Sequence, residues 1–389
     1  MTTRKIDVFN SRIKIPFFAP DITNEDKDAV AKALNSSLLT DGPKLREFES
    51  AFARMTGAKF AIGVSNATSA LHLSLRALNI GKGDEVIVPD MTFVATASSV
   101  LLTGATPIFA DVELDDINIS VDSIKKNLTS KTKAILPVHF AGRACKMKEI
   151  MKIARSKNLM VIEDCAHAIG TRIYNKHVGT FGDVGCFSFY PTKNITTIEG
   201  GMVITNSKKI AQRIEVLRNH GITRSLKQRF STGRPWDYDV KEPGYNYRLD
   251  EIRSSLGLSQ LKRLSQLNQK RKKICEYYNS KLIFIDGIIT PPSSAKHENS
   301  YHLYMIRVKK RNGISRDILF RKLLSIGIRT TVHYKPLHKF SAFKKHGKTY
   351  HELTNCNRIF DETLSLPLYP EITKEQQDYI IKYIKRICS

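Results

Sequence analysis

The chain has 389 residues, 41% of them hydrophobic and 25% charged, with a formal net charge of +25; that is the composition of a globular protein with room for two domains. Its six cysteines form no C-x-x-C pair, which excludes a disulfide framework or a zinc pattern and fits a reducing cytoplasm. The first residues lack the apolar run of a secretory signal, and the most apolar window, Val94 to Ala110, carries Thr, Ser, Gly and Pro, so no membrane-spanning helix is expected.

From about Lys59, short β-rich runs alternate with longer helical ones. "KFAIGVS" predicts a strand and "TSALHLSLRAL" a helix with apolar residues at helical spacing. "DEVIVP", "TPIFADV", "TKAILPV" and "LMVIED" predict further strands. Between them "FVATASSVLL", "SVDSIKKNL" and "MKEIMKIARSKN" predict helices. "DVGCFSFY" and "GMVITN" follow as strands, then the helix "KKIAQRIEVLRN". Apolar strands separated by helices predict βαβ units, hence an α/β fold with a mostly parallel sheet covered on both faces. Residues 221–245 lack periodicity and hold the single tryptophan, Trp236; a loop of that length is usually functional or mobile. From Leu258 one long amphipathic helix is expected, then a smaller α+β segment with strands such as "YHLYMIRV" and "TTVHY". The expected domains are 13–255 and 256–389, with a helix crossing the boundary. The densest basic cluster, "QKRKKICEYY" at 269–278, reads as the solvated face of that helix. No recognition helix, finger or aromatic platform accompanies it, which argues against nucleic acid as the main partner.

In open α/β sheets, ligands gather beyond the carboxyl ends of the strands. After "KFAIGVS" comes "SNATSA", whose free N–H groups suit a phosphate, although an ordinary N-cap by Ser65 or Asn66 explains the same residues. After "EVIVP" comes Phe93, which core packing also explains. After "LMVIED" comes Asp164, then His167; a carboxylate there suits a cap, a metal or a cationic ring. After "CFSFY" comes Lys193, whose apolar approach would disfavour the charged amine. Gly200 and Gly201 would let backbone pass close to that lysine. Pyridoxal 5'-phosphate needs all four features: an amine for its aldehyde, a carboxylate for its pyridine nitrogen, a phosphate cup and a ring on its face.

The chain resembles the DegT/DnrJ/StrS family of pyridoxal-phosphate nucleotide-sugar aminotransferases, of the aspartate aminotransferase-like fold type I. The resemblance runs from about Phe17 to the C-terminus. It is carried by "LLTDGPKLREFE", "VSNATSALHL", "GDEVIVPDMTFVAT", "ATPIFADV", "AILPVHFAG", "VIEDCAHAIGT", "GDVGCFSFYPTKNITTIEGGMVITN", "NHGI", "GYNYRLDEIRSSLGLSQL" and "HYKPLH". The resemblance implies that Lys193 bonds the cofactor and moves protons between cofactor and sugar. It implies that Asp164 pairs with the pyridinium and that His167 lies near the phenolic oxygen. Ala67, Thr68 and Ser188 would hold the phosphate, and Phe93 would stack on the ring. Asn246 would reach the partner subunit's cofactor in a homodimer with shared sites. His333 and Tyr334 match positions near the sugar, although packing of a strand end in the small domain explains them equally. No metal is expected.

The implied partners are a nucleotide-sugar substrate and an amino-acid donor, with no membrane. Lysine where some relatives have histidine favours transamination over dehydration. "NITTIEGG" resembles members acting at sugar C4 more than those acting at C3. Two alternatives stand: 3-amination on the same fold, or a nucleic-acid-binding or regulatory protein that keeps it.

Overall fold

A computed structural model describes residues 14–223, 231, 233–292, 298–311 and 313–388. Seven strands form the central sheet: β1 (Phe60–Val64), β2 (Glu85–Pro89), β3 (Thr106–Ala110), β4 (Thr132–Ile135), β5 (Met160–Asp164), β8 (Val184–Ser188) and β9 (Gly201–Thr205). Their order is β1-β9-β8-β5-β4-β2-β3. β9 runs antiparallel to both neighbours, and every other pair is parallel. Val86, Val88, Ile135, Ile162, Val184 and Val203 are all fully buried. Burying such a side chain contributes about 1.5–3 kcal/mol, so these strands read as near-continuous apolar runs because helices cover both faces.

Because six strands point one way, their carboxyl ends share one rim. Val64, Pro89, Asp164 and Ser188 stand at the ends of β1, β2, β5 and β8. The helix Ala67–Ala77 opens at the same rim. It is buried along most of its length, from Ser69 to Leu75, and packs against β5, β8 and β9. Between β5 and β8 lies a two-stranded hairpin, β6 (Arg172–Ile173) with β7 (Lys176–His177). That excursion carries the chain to the opposite edge of the sheet, from which β8 runs back parallel to β5 and delivers Lys193 beyond the rim.

A second sheet has the order β10-β11-β12. Its strands are β10 (Ile288–Ile289), β11 (Tyr304–Val308) and β12 (Thr363–Leu366). It packs on Ile15, Ile274, Tyr278, Leu319, Ile380 and Ile384. The two sheets are the reason to retain a proposed division at 255/256, but packing crosses it. Ile15 joins the second core, while Leu337, Phe343, Leu353 and Ile359 return to the first. Residue 13, the proposed start of the first domain, lies outside the described residues.

Two expected elements differ. The long helix is two, Glu251–Lys262 and Leu264–Leu282, divided at Arg263, where φ is −100° and ψ 0°. Arg263 is held there by Asp21 and Asp26, both accepting from its guanidinium. "TTVHY" is not a strand. It makes one bridge, Thr331 to Ser365, and then leaves the sheet. It is drawn off by the rim of the first sheet, because Asp90 accepts from the N–H and Nδ1 of His338 and its carbonyl accepts from the N–H of Leu337. That buried carboxylate after β2 brings His333 and Tyr334 over the site. Of the loop 221–245, residues 224–230 and 232 lie outside the described residues; Trp236 is exposed.

Candidate active site

Lys193 follows β8 after a turn in which its N–H donates to the Tyr190 carbonyl at 2.8 Å. Burial lowers its pKa from 10.5 to about 8, against the opposing pull of the Asp164 charge. An amine with that pKa is half free at pH 8, as a nucleophilic lysine must be. Lys193 lines a small cavity together with Thr192, His302, His333 and Tyr334 and the apolar Phe17, Phe18, Leu303 and Leu368.

Asp164 is buried at the end of β5. Its Oδ1 accepts from the Ala166 N–H and its Oδ2 from Thr96 Oγ1, each at 3.0 Å. Thr96 gives its only hydroxyl proton to Asp164, so Thr92 Oγ1, 3.0 Å away, donates to Thr96. Burial raises the pKa of Asp164 in spite of these bonds and the Lys193 charge. The carboxylate is short of positive charge, and a cation placed beside it would be welcome.

His167 is buried, with Nε2 3.2 Å from the Tyr334 hydroxyl and Nδ1 without a partner among the described residues. Burial first, then Lys193 and His333, lower its pKa well below 6.5. His333 bonds Ser365 Oγ through Nδ1 at 2.8 Å and is lowered to about 3, again mainly by burial.

The phosphate candidates meet across three strands. Ser188 pairs with Gly201, and Gly201 with Val64, one residue before the Ser65-Asn66 turn. The Asn66 side chain caps the helix by accepting from the Ser69 N–H. That cap leaves the Ala67 and Thr68 N–H groups for another acceptor. A Cβ on Gly201 would lie 2.5 Å from the Asn66 carbonyl and 2.9 Å from the Ala67 nitrogen. Gly200 lies against Thr197 and Phe189. The glycine pair therefore admits the helix N-terminus and its own turn, not the lysine, which corrects the sequence expectation.

Phe93 is 54% exposed, with its ring 5.9 Å from that of Tyr334. Core packing does not explain it; it stands uncovered at the rim. Asn246 forms a bridge with Asn219. It is exposed, and its neighbour Tyr247 accepts the Ser65 N–H at 2.9 Å.

His139, Glu163 and Cys165 form a buried group with metal-ligand atoms. Cys145 N–H donates to His139 Nδ1, so Nε2 carries the proton toward Glu163 at 2.9 Å. Glu163 also accepts from the N–H groups of Gly179, Phe181 and Gly182, each at 2.7 Å. Its oxygens are saturated, so the group is a structural brace. Sequence reading missed Phe17, Thr96, Asn194 and His302. Thr96 is one of three hydroxyl residues in its short helix, with Ser98 and Ser99, so polarity did not single it out; the others carried no signal at short range.

These residues fit pyridoxal 5'-phosphate on their own chemistry. There is a half-neutral lysine, a carboxylate lacking a cation, an orphaned imidazole nitrogen, free helix N–H groups and an uncovered ring. The profile described as the DegT/DnrJ/EryC1/StrS aminotransferase family matches residues 20–385. Spore coat polysaccharide biosynthesis protein SpsC of Bacillus subtilis is 38% identical over 96% of this chain and 97% of its own length. Protein Spr1654 of Streptococcus pneumoniae has been solved in its PMP and PLP forms. The PMP form superposes with a TM-score of 0.90 at 32% identity, covering 96% of this chain and 99% of that one. Helicobacter pylori PseC, an aminotransferase involved in the biosynthesis of pseudoaminic acid, gives 0.89 at 31%, covering 96% and 99%.

Proposed function

Because the chain belongs to the DegT/DnrJ/EryC1/StrS aminotransferase family, and is a sugar aminotransferase of fold type I that uses pyridoxal 5'-phosphate, we propose that it transfers an amino group from glutamate to a nucleotide-linked 4-keto-6-deoxy sugar. The observation that carries this reading is the cavity beside Lys193. Its lining mixes apolar side chains, Phe17, Phe18, Leu303 and Leu368, suited to a deoxy methyl group, with His302, His333 and Tyr334, suited to hydroxyls. The segment "NITTIEGG" supports C4 over C3, and a net charge of +25 suits a substrate with a diphosphate. No helix among the described residues is long and apolar enough to cross a membrane.

When bound, the cofactor supplies an electron sink and an amine carrier. The chain's part is to hold groups and move protons. Lys193 Nζ takes and returns the proton on the reacting carbon, and its pKa of about 8 suits both directions near neutral pH. Asp164 holds positive charge on the ring nitrogen. Ala67, Thr68 and Ser188 would bind the phosphate, Phe93 would cover the ring, and Tyr334 and His333 would face the sugar. The test is a panel of nucleotide 4-keto and 3-keto sugars incubated with the holoenzyme and glutamate, with products identified by mass and NMR. A 4-amino sugar is expected; a 3-amino product, or none from any 4-keto sugar, overturns the assignment.

Asn246 is proposed to serve the partner subunit's phosphate in a homodimer. Its exposure in the single chain supports this; the position of Tyr247 beside Ser65 favours a second reading, in which Asn246 serves its own site. Mixed dimers separate the two. Assayed at limiting cofactor, where Asn246→Ala homodimers lose theirs, a Lys193→Ala chain paired with an Asn246→Ala chain regains one sound site if Asn246 acts across the interface, and none if it acts within the chain. Recovery toward half of wild-type activity per dimer is expected, with subunit exchange monitored by mass. One hydrogen bond to a charged group is worth about 1.5–3 kcal/mol, so Asn246→Ala alone should weaken cofactor retention more than turnover.

A further inference from the structure

We infer that His302 is a substrate-binding residue of this cavity, with Nδ1 protonated and Nε2 held bare as an acceptor for a hydroxyl or amide N–H of the sugar. The polarity follows from a chain of amides. Asn268 Nδ2 donates to the Ile169 carbonyl at 3.1 Å, which turns Asn268 Oδ1 toward Asn194. Asn194 Nδ2 donates to that Oδ1 at 2.6 Å and also to the Ser300 carbonyl. Both amide protons of Asn194 are therefore spent, and its Oδ1 faces His302 Nδ1 at 3.2 Å. An amide oxygen only accepts, so Nδ1 must carry the hydrogen. A second proton is resisted by burial first, then by His167, Lys193 and Arg271, so the ring stays neutral. A neutral imidazole with Nδ1 protonated has a lone pair on Nε2.

The ring cannot turn away from this role. The His302 N–H donates to the Ala141 carbonyl, and its own carbonyl accepts from Arg271 Nη1. The imidazole packs on that of His167 with centroids 4.4 Å apart. Nε2 has no partner among the described residues, and the ring lines the cavity that Lys193 also lines. Asn194 and Asn268 are positioning residues; they touch His302 or each other rather than the substrate. Directly following Lys193, Asn194 links the reactive amine and the His302 tautomer to one turn of chain.

The identity of the ligand rests on the keto-sugar reading above; the tautomer does not. Two variants separate the ring's two nitrogens. His302→Asn keeps a donor where Nδ1 stands and removes the acceptor. His302→Gln extends an amide oxygen to where Nε2 stands. Kinetics are measured with whichever nucleotide keto sugar the wild type aminates, 3-keto or 4-keto, so the C4 assignment can fail without touching this one. His302→Asn should raise the sugar KM about tenfold, leave the glutamate half-reaction near wild type, and be largely rescued in His302→Gln. ¹⁵N NMR of histidine-labelled protein without substrate, assigned by difference against His302→Asn, should show a protonated Nδ1 and a bare Nε2 from pH 6 to 8. A protonated Nε2 overturns the inference. So does an unchanged sugar KM in His302→Asn, and so does a shift in the pH dependence of cofactor capture instead, which would mean that Nε2 serves Lys193.

Discussion

Lys193→Ala and Lys193→Arg should both abolish amino transfer, and equally. The pairing matters because the two variants remove different things. Alanine removes charge and amine; arginine keeps a cation but offers no free amine at any pH of interest. If Lys193 served as a fixed charge, Lys193→Arg would retain much of the activity. As the proton carrier on the reacting carbon, either change removes a contribution of about 10²–10⁴-fold, and the lost bond to the cofactor adds to it. Borohydride treatment followed by peptide mass should find the cofactor on the Lys193 peptide of the wild type and on neither variant. The pH dependence follows from the same amine. With a pKa lowered from 10.5 to about 8 by burial, the reactive free form grows as pH rises toward 8 and is nearly complete above 9. Capture of the cofactor by apoprotein should therefore slow about tenfold per unit below pH 8 and level off above it. A rate independent of pH between 6 and 9, or activity in Lys193→Arg, would show that another group does this work.

How much of this was legible in the sequence depends on the range of the interaction. The strands of the central sheet and the helices between them follow from periodicity, because their burial is a local pattern of apolar residues. The candidates Asp164 and Lys193 were legible as well, since each ends or follows a predicted strand and parallel strands share a rim; Ser188, inside a predicted strand, was singled out only by the family resemblance. What failed was set by distant contacts. "TTVHY" has the β-branched character of a strand, but Asp90 draws the following turn away through His338 and Leu337. The break at Arg263 depends on Asp21 and Asp26, far away in the chain. His302 sits at the head of a segment that reads as a plain strand, and only the fold brings it beside Asn194. Gly201 was noticed for the wrong neighbour: glycine marks a close approach, but the sequence does not say to what.

Asp164→Asn should preserve the fold and lower turnover by at least about 10²–10³-fold, the loss typical of removing one preorganised electrostatic contact at a reacting centre. The geometry accommodates the amide. Its oxygen can keep the Ala166 N–H bond now made by Oδ1, and its NH₂ can face Thr96, whose hydroxyl would turn from donor to acceptor. Thr96 could then donate to Thr92 in place of accepting from it. What cannot be kept is the negative charge. Asp164 without a cation beside it is held above the usual carboxylate range by burial, so its anionic form is costly alone. A positively charged ring nitrogen would stabilise the carboxylate as the carboxylate stabilises the nitrogen, since the coupling is reciprocal. In Asp164→Asn the carboxylate that would keep a bound cofactor's ring nitrogen protonated is gone, and the electron sink that the cofactor would supply is weakened. Cofactor affinity should fall less than turnover, because the proposed phosphate contacts of Ala67, Thr68 and Ser188 would be untouched. The decisive measurement supplies the missing charge chemically. A cofactor analogue methylated on the ring nitrogen is cationic without any partner, and it should restore part of the activity of Asp164→Asn while doing nothing for Lys193→Ala. Full activity of Asp164→Asn with the ordinary cofactor would show that the carboxylate is only a brace for the strand end. Failure of the methylated analogue to rescue, in protein shown to bind it, would show that Asp164 acts by position and not by charge.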